Sequence, residues 1–332
     1  MVRITAENFV TDNKTNKVYI SSLIDKASGD LDADVRGRLK SCIMKFCPDV
    51  EVLYNTMDVW ARDYMPIQLT EDVFLGYTYK PDYLEEFPEC ITNWQLHNVH
   101  TQKQLASSER FNFKVVQIPI ILDGGNVVKA IVGDKPCFIM CDKVLEENNV
   151  SYEDFDNWWK QWWKDNFDGT EMEYVLLPWE GSDDNPIGHA DGMVRYIEDG
   201  RVLFTNYEDF DGYNYPAELY VDKLTEVGFE VETLGYHKLF DYKKDKLYRM
   251  LFDSSWCYIN FLQVGNRILV PSLGYDKLDQ EAKRQIDAAF NKNRRLADVE
   301  LIDVDMTTIV EEMNDNHNSG GALSCLTWTI KA

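Results

Sequence analysis

The sequence predicts an α/β chain arranged as a five-bladed α/β-propeller, and three observations carry that expectation. Short apolar, β-rich runs alternate with amphipathic helical stretches. Five of the strands run into a loop that delivers a polar group and then into another apolar strand. The polar groups recur at near-constant spacing: Asp63, Asp123, His189, Asn260 and Cys325 stand 60, 66, 71 and 65 residues apart. A repeating unit that cannot bury its apolar face alone must pack against its neighbours. Five ββαβ units around an axis bring their equivalent loops to one central site. This organisation predicts a single propeller domain over residues 1–332 rather than two domains in series.

The units follow in order. VEVLYN is followed by MDVWARDYMPIQL, and VVQIPII by LDGGNVVKAIV. EYVLLPW leads to DNPIGHADGMVRYI; FEVETLGY leads, after a longer insertion, to WCYINFLQVG; VELIDV leads to GGALSCLTWTI. Helices are expected over Leu31–Phe46, Tyr152–Phe167, Pro216–Val227 and Leu278–Asn291. In the third unit Phe155, Trp159, Trp162, Trp163 and Phe167 share one broad helical face, which reads as an aromatic stripe packed on the outer sheet. It also leaves a homo-oligomer interface open.

Composition narrows the function classes. The net charge of -23, from 57 acidic against 34 basic residues, would repel a phosphate backbone and argues against a nucleic-acid partner. The same field would draw a small cation toward a site. The N-terminal stretch lacks the basic segment and apolar run of a secretory signal, and no apolar run reaches the length of a membrane span; a cytoplasmic location and no membrane partner are expected. The seven cysteines form no CxxC and no Cys/His cluster with metal spacing, so reduced core cysteines are expected and neither a disulfide framework nor a zinc site.

Four of the converging groups make a chemical set. A thiolate at Cys325 is a strong nucleophile, an imidazole at His189 moves protons near neutral pH, and carboxylates at Asp63 and Asp191 can hold a flat cation by paired hydrogen bonds. Guanidinium is the cation whose planar fork of N–H donors suits two carboxylates. His189 and Asp191, two apart in an expected strand, would face the same side. Such chemistry requires no metal and no organic cofactor. Gly320 and Gly321 allow close backbone approach beside Cys325. Trp60 reads equally as a pocket wall or as core, and His317 as a surface or lid residue.

WARD at 60–63, DGGN at 123–126, GHAD at 188–191, YINF at 258–261 and GGALSC at 320–325 resemble, in order and at blade spacing, the motifs of the agmatine deiminase and bacterial-type peptidylarginine deiminase family. That family lies within the guanidino-group-modifying superfamily, and the resemblance spans residues 50 to 330. It implies Cys325 as nucleophile, His189 as general acid and base, and Asp63 and Asp191 as guanidinium ligands. Asn260 matches an asparagine at the reacting centre, Asp123 and Asn126 a motif lining the site, and Arg62 a structural ion pair beside Asp63. Where agmatine deiminases usually carry a histidine before the cysteine, this chain has Ser324.

The implied activity is hydrolysis of a small alkylguanidine, agmatine by default, to a ureido product and ammonia. Three alternatives stand beside it. A deiminase of arginine or peptidyl-arginine would give Arg195 a carboxylate to meet, although its position also fits a strand-edge surface residue. An amidinotransferase would replace water by an amine. A guanidinium-binding propeller without turnover needs no chemistry.

Overall fold

The computed structural model describes residues 2–24, 33–81, 98–99, 101, 105, 111, 113–179, 188–205, 217–236, 255–310 and 321–332. The starts of two expected helices, at Leu31 and Pro216, lie outside these, as do Cys90, His317 and Gly320.

The chain begins its first sheet with β1 (Lys17–Ser21), crosses through helix α1 (Ala33–Phe46) and adds β2 (Val50–Leu53) in parallel. A one-turn helix, α2 (Ala61–Tyr64), precedes β3 (Ile67–Thr70), which pairs antiparallel with β4 (Val73–Thr78); β5 (Lys114–Ile121) then lies parallel to β4. The third unit repeats the order with β6 (Val128–Val132), β7 (Lys135–Cys141), helices α3 (Lys143–Glu147) and α4 (Tyr152–Asn166), and β8 (Glu173–Leu177). The fourth has β9 (Val194–Glu198), β10 (Arg201–Phe204), α5 (Ala217–Val227) and β11 (Glu230–Thr233). The fifth has β12 (Leu262–Val264), β13 (Arg267–Ser272), α6 (Asp276–Phe290) and β14 (Asp298–Asp305). Last, β15 (Thr327–Ile330) returns to pair antiparallel with β1 and completes the first sheet. Each sheet is an antiparallel pair followed by a crossover to a parallel third strand, the connection that helices serve; in the first sheet the pair joins β1 to β15 from the two ends of the chain. Among the described residues the five three-stranded sheets are separate, with no ladder joining one to the next: this is the five-bladed α/β-propeller.

Burial grades from the axis outward. The first strand of each hairpin is almost wholly buried, whereas β5, β11 and β14 alternate or stay half exposed. Each expected strand named above is an outer strand, β2, β5, β8, β11 or β14. Their half-exposed register is that of a sheet margin covered on one face only.

Helix α4 shows how sequence builds a blade. Ser151 caps it, its Oγ accepting from the Asp154 N–H, a cap worth about 1 kcal/mol. Phe155, Trp159 and Trp163 are then fully buried against β7 and β8; the Trp159 ring meets Phe138 edge-on and Tyr174 at 5.6 Å. The Trp159 indole N–H donates to the Met172 carbonyl, whereas the buried Trp163 indole N–H has no hydrogen-bond partner among the described residues. The aromatic stripe is core, and only Trp158 and Trp162 remain partly buried at its margin. No helix among the described residues is long and apolar enough to cross a membrane.

Candidate active site

The five polar groups that mark the repeat lie in the turns that feed the inner strands. Asp63 sits in α2, which ends where Pro66 favours an extended Met65. Asp123 precedes a 3-10 turn at Gly124–Asn126, and His189 precedes another at Ala190–Gly192. Asn260 follows a third at Ser255–Ile259, and Cys325 lies in the turn before β15. The expectation that His189 and Asp191 share a strand face is therefore corrected. They sit on a tight turn capped by the Met193 N–H to Ala190 carbonyl bond, and β9 begins only at Val194.

These turns converge on one buried cluster. The Cys325 thiol lies 3.5 Å from Asp191 Oδ2 and 3.9 Å from Oδ1. Asn260, fully buried, places Nδ2 3.2 Å from Cys325 Sγ. Its Oδ1 accepts from the N–H groups of Ala322, Ser324 and Cys325. One side chain thus shapes the cysteine loop and touches its sulfur. His189 forms the other half. Its Nε2 is 3.0 Å from Asp123 Oδ2 and its Nδ1 is 3.7 Å from Asp63 Oδ1. Asp63 Oδ1 also accepts from the Gly125 N–H at 3.0 Å. Asp123 Oδ1 is buried with no hydrogen-bond partner among the described residues.

Two glycines are required by close approach. A Cβ at Gly125 would stand 2.5 Å from Asp63 Oδ1 and 2.6 Å from His189 Nδ1, and a Cβ at Gly321 would stand 2.5 Å from the Trp60 ring. Trp60 is buried and lies over the loop that carries Cys325, so it serves as packing for that loop at Gly321.

The electrostatics follow from buried carboxylates set around one thiol and one imidazole. Burial, then Asp191 and Asp63, push the Cys325 thiol well above its usual range, while Asn260 and the Ala322 N–H oppose them. Burial drives Asp63 up to about 8 against the pull of His189, with Asp191 and Asp123 adding to the rise. Burial lowers His189, but Asp63, Asp123 and Asp191 outweigh it and raise the imidazole to about 9. Burial among like charges thus disfavours the anions of Cys325 and Asp63.

Some expectations find other neighbours. Asn126 is not brought to the cluster: its amide is spent on the backbone of Cys141, with Oδ1 accepting from the N–H at 2.7 Å. Arg62 turns away from Asp63 and pairs with Asp12 at 3.5 Å and Asp191 at 3.8 Å. Arg195 is neither at a surface edge nor facing an open pocket; it is buried, donates to Ser324 Oγ at 2.9 Å and to Asp12 at 3.1 Å, and stacks on Phe261. Ser324 is thereby turned beneath the cysteine loop. Asp12 and Lys129 went unnoticed in the sequence. The signal for Lys129 is that the second residue of four inner strands, Gln68, Lys129, Arg195 and Gln263, is polar and buried at equal register; Asp12, in a turn ahead of β1, has no such signal. Among the described residues no three His, Cys, Asp or Glu side chains converge as a metal site.

A five-bladed propeller that collects Asp63, Asp123, His189, Asp191, Asn260 and Cys325 from successive inner turns has the architecture of the guanidino-group-modifying proteins. The chain belongs to the Porphyromonas-type peptidyl-arginine deiminase family, whose model matches residues 13–330. Among solved structures it is similar to the agmatine deiminase of C. jejuni, at 14% identity and a TM-score of 0.66 over 99% of this chain and 97% of that one. It is also similar to the agmatine deiminase of Enterococcus faecalis, at 16% identity and a TM-score of 0.64 over 99% of each chain. No curated protein sequence matches it.

Proposed function

We propose that the protein is a guanidine iminohydrolase that converts a small alkylguanidine, agmatine or a near analogue, to a ureido product and ammonia. The observation that carries this reading is the buried meeting of Cys325 with Asp191, beside a His189 held between Asp63 and Asp123. The carboxylates of Asp63 and Asp191 suit a flat cation, and guanidinium offers them a planar fork of N–H donors.

The chemistry follows from the neighbours. A guanidinium held by Asp63 and Asp191 lowers the cost of the Cys325 anion, and the thiol loses its proton as substrate binds. The thiolate adds to the guanidinium carbon, forming the C–S bond. His189, as imidazolium, gives a proton to one terminal nitrogen; the C–N bond breaks and ammonia leaves. The remaining S-alkylthiouronium is attacked by water, whose proton passes to the now neutral His189. Collapse breaks the C–S bond, restores the thiolate and frees the ureido product, the hydroxyl proton passing to solvent, where the released ammonia takes it up as ammonium. Asp123 holds the ring of His189 so that the proton is delivered toward the cluster.

Arg195 supports an alkylguanidine over free arginine: it is buried under Ser324 and paired with Asp12, so it is not offered to a substrate carboxylate. A cytoplasmic setting belongs to this reading, in keeping with the six cysteines of the described residues, all free.

Ammonia release across agmatine, simple alkylguanidines, arginine and a blocked arginine amide tests the reading. Agmatine or an alkylguanidine is expected to turn over fastest. Binding of guanidines without ammonia from any of them would remove the enzyme reading, and a faster arginine compound would replace the substrate.

The pH profile of kcat/KM is expected to be a narrow bell. Below about 8, Asp63 is protonated and cannot balance the guanidinium; above about 9, His189 has lost the proton it must donate. Activity should rise through the first and fall through the second. A profile flat from pH 6 to 8 would exclude Asp63 as a guanidinium ligand.

A further inference from the structure

One step further along the inner strands than the cysteine loop, a second set of charges is buried for which the reaction above has no use. Asp12, in a turn at Asp12–Lys14 ahead of β1, is ringed by Arg62 at 3.5 Å, Arg195 at 3.1 Å and Lys129 at 4.0 Å. Arg62 and Lys129 line a small cavity with Asp12, Gln68 and Thr329. Burying three cations around one carboxylate is costly unless further negative charge is near. The nearest is above them: Arg62 Nε lies 3.8 Å from Asp191 Oδ2 and 3.0 Å from the Ser324 carbonyl, and Arg195 holds the Ser324 hydroxyl. Both guanidiniums interact electrostatically with Cys325.

Arg62, Arg195 and Lys129 stand against Asp12 and Asp191; burial brings Lys129 down to about 8, so below that pH one surplus positive charge lies beneath the thiol. Cys325 is otherwise faced by Asp63 and by the neutral Asn260. The surplus is the right sign and count to balance a thiolate.

We infer that Asp12, Arg195 and Lys129 are positioning residues that set the ionisation of Cys325 from below, Asp12 holding it back and the two cations supporting it. Their action passes through Arg62 and the Ser324–Cys325 turn. The inference rests on the reading of Cys325 as the nucleophile, but its test needs no turnover. A failure of the ammonia assay and a failure here are therefore separate results.

The test is the rate of iodoacetamide labelling of the Cys325 peptide, followed by mass spectrometry from pH 6 to 9, with folding checked by circular dichroism. Asp12→Asn removes the restraining charge and is expected to raise the rate about three- to tenfold at each pH. Arg195→Gln keeps a donor for Ser324 and is expected to lower it by a similar factor. Lys129→Met should lower it less, acting only through Asp12, and Arg195→Lys should restore most of the loss. A merely structural role would loosen the loop and move every variant in one direction. Shifts of one sign for Asp12→Asn and Arg195→Gln, or Arg195→Lys behaving as Arg195→Gln, would overturn the inference. If Asp12→Asn does not fold, the order of Arg195→Lys over Arg195→Gln decides it.

Discussion

Cys325→Ala is expected to abolish ammonia release, lowering kcat by roughly 10⁴-fold or more, while guanidine binding survives. The cysteine loop is held by its neighbours. Asn260 Oδ1 takes three of its N–H groups and Arg62 Nε takes the Ser324 carbonyl, so the loop does not depend on the sulfur. Near pH 7 the raised thiol is neutral, so its removal relieves no charge and costs only the packing of one buried sulfur. The cation ligands stay in place. Acid quench of the wild type during turnover should trap a protein mass increased by the amidino-alkyl group on the Cys325 peptide, and the variant should show none. Turnover retained in Cys325→Ala would assign the chemistry to water activated directly by His189.

Gly125→Ala is expected to cost about 10²-fold in kcat/KM, the penalty of displacing reacting groups by about 1 Å, although no charged or nucleophilic group is altered. The new methyl would occupy the space between Asp63 Oδ1 and His189 Nδ1, each within 2.6 Å of it. Real Cβ atoms do not approach so closely, so the carboxylate and the imidazole must part. The Gly125 N–H to Asp63 bond would be strained in the same movement. With the carboxylate moved off, His189 loses its first-ranked support and its titration should fall toward the ordinary imidazole range. The alkaline limb of the pH profile should then shift downward together with the loss in rate. A loss in rate with an unmoved alkaline limb would show that His189 and Asp63 are not coupled through this contact.

The blade order was legible because it is written locally. VEVLYN, VVQIPII and VELIDV are β-branched runs bounded by turn residues, and they are β2, β5 and β14. Asp63, Asp123, His189, Asn260 and Cys325 could be found because each lies just ahead of an inner strand, and the strands repeat. The conformation that presents them was not legible. A three-residue 3-10 turn such as Ala190–Gly192 has no periodicity to read, so HAD resembled a strand with alternating faces. Partners across the axis were hidden for a different reason. Asp12, Arg195 and Ser324 come from the first turn, the fourth blade and the last turn, and only the ring brings them within hydrogen-bond reach. The DGGN motif lay between these cases: Asp123 reaches the cluster, whereas Asn126, three residues on, is turned to bind β7.

The sheet shared by β1 and β15 also sets an order of assembly. Cys325 lies two residues ahead of β15, whose register with β1 joins Lys17 to Ile330 and Ile20 to Thr327. Such a pairing is among the most remote in the chain, and remote contacts form late because loop entropy must be met first. A growing or misassembled polypeptide can already hold the histidine and carboxylates of the middle blades yet has no sulfur beside them. On the proposed function, the reactive group is delivered by the turn that leads into the strand completing the first blade, so chemical competence would double as a report that the ring has been finished.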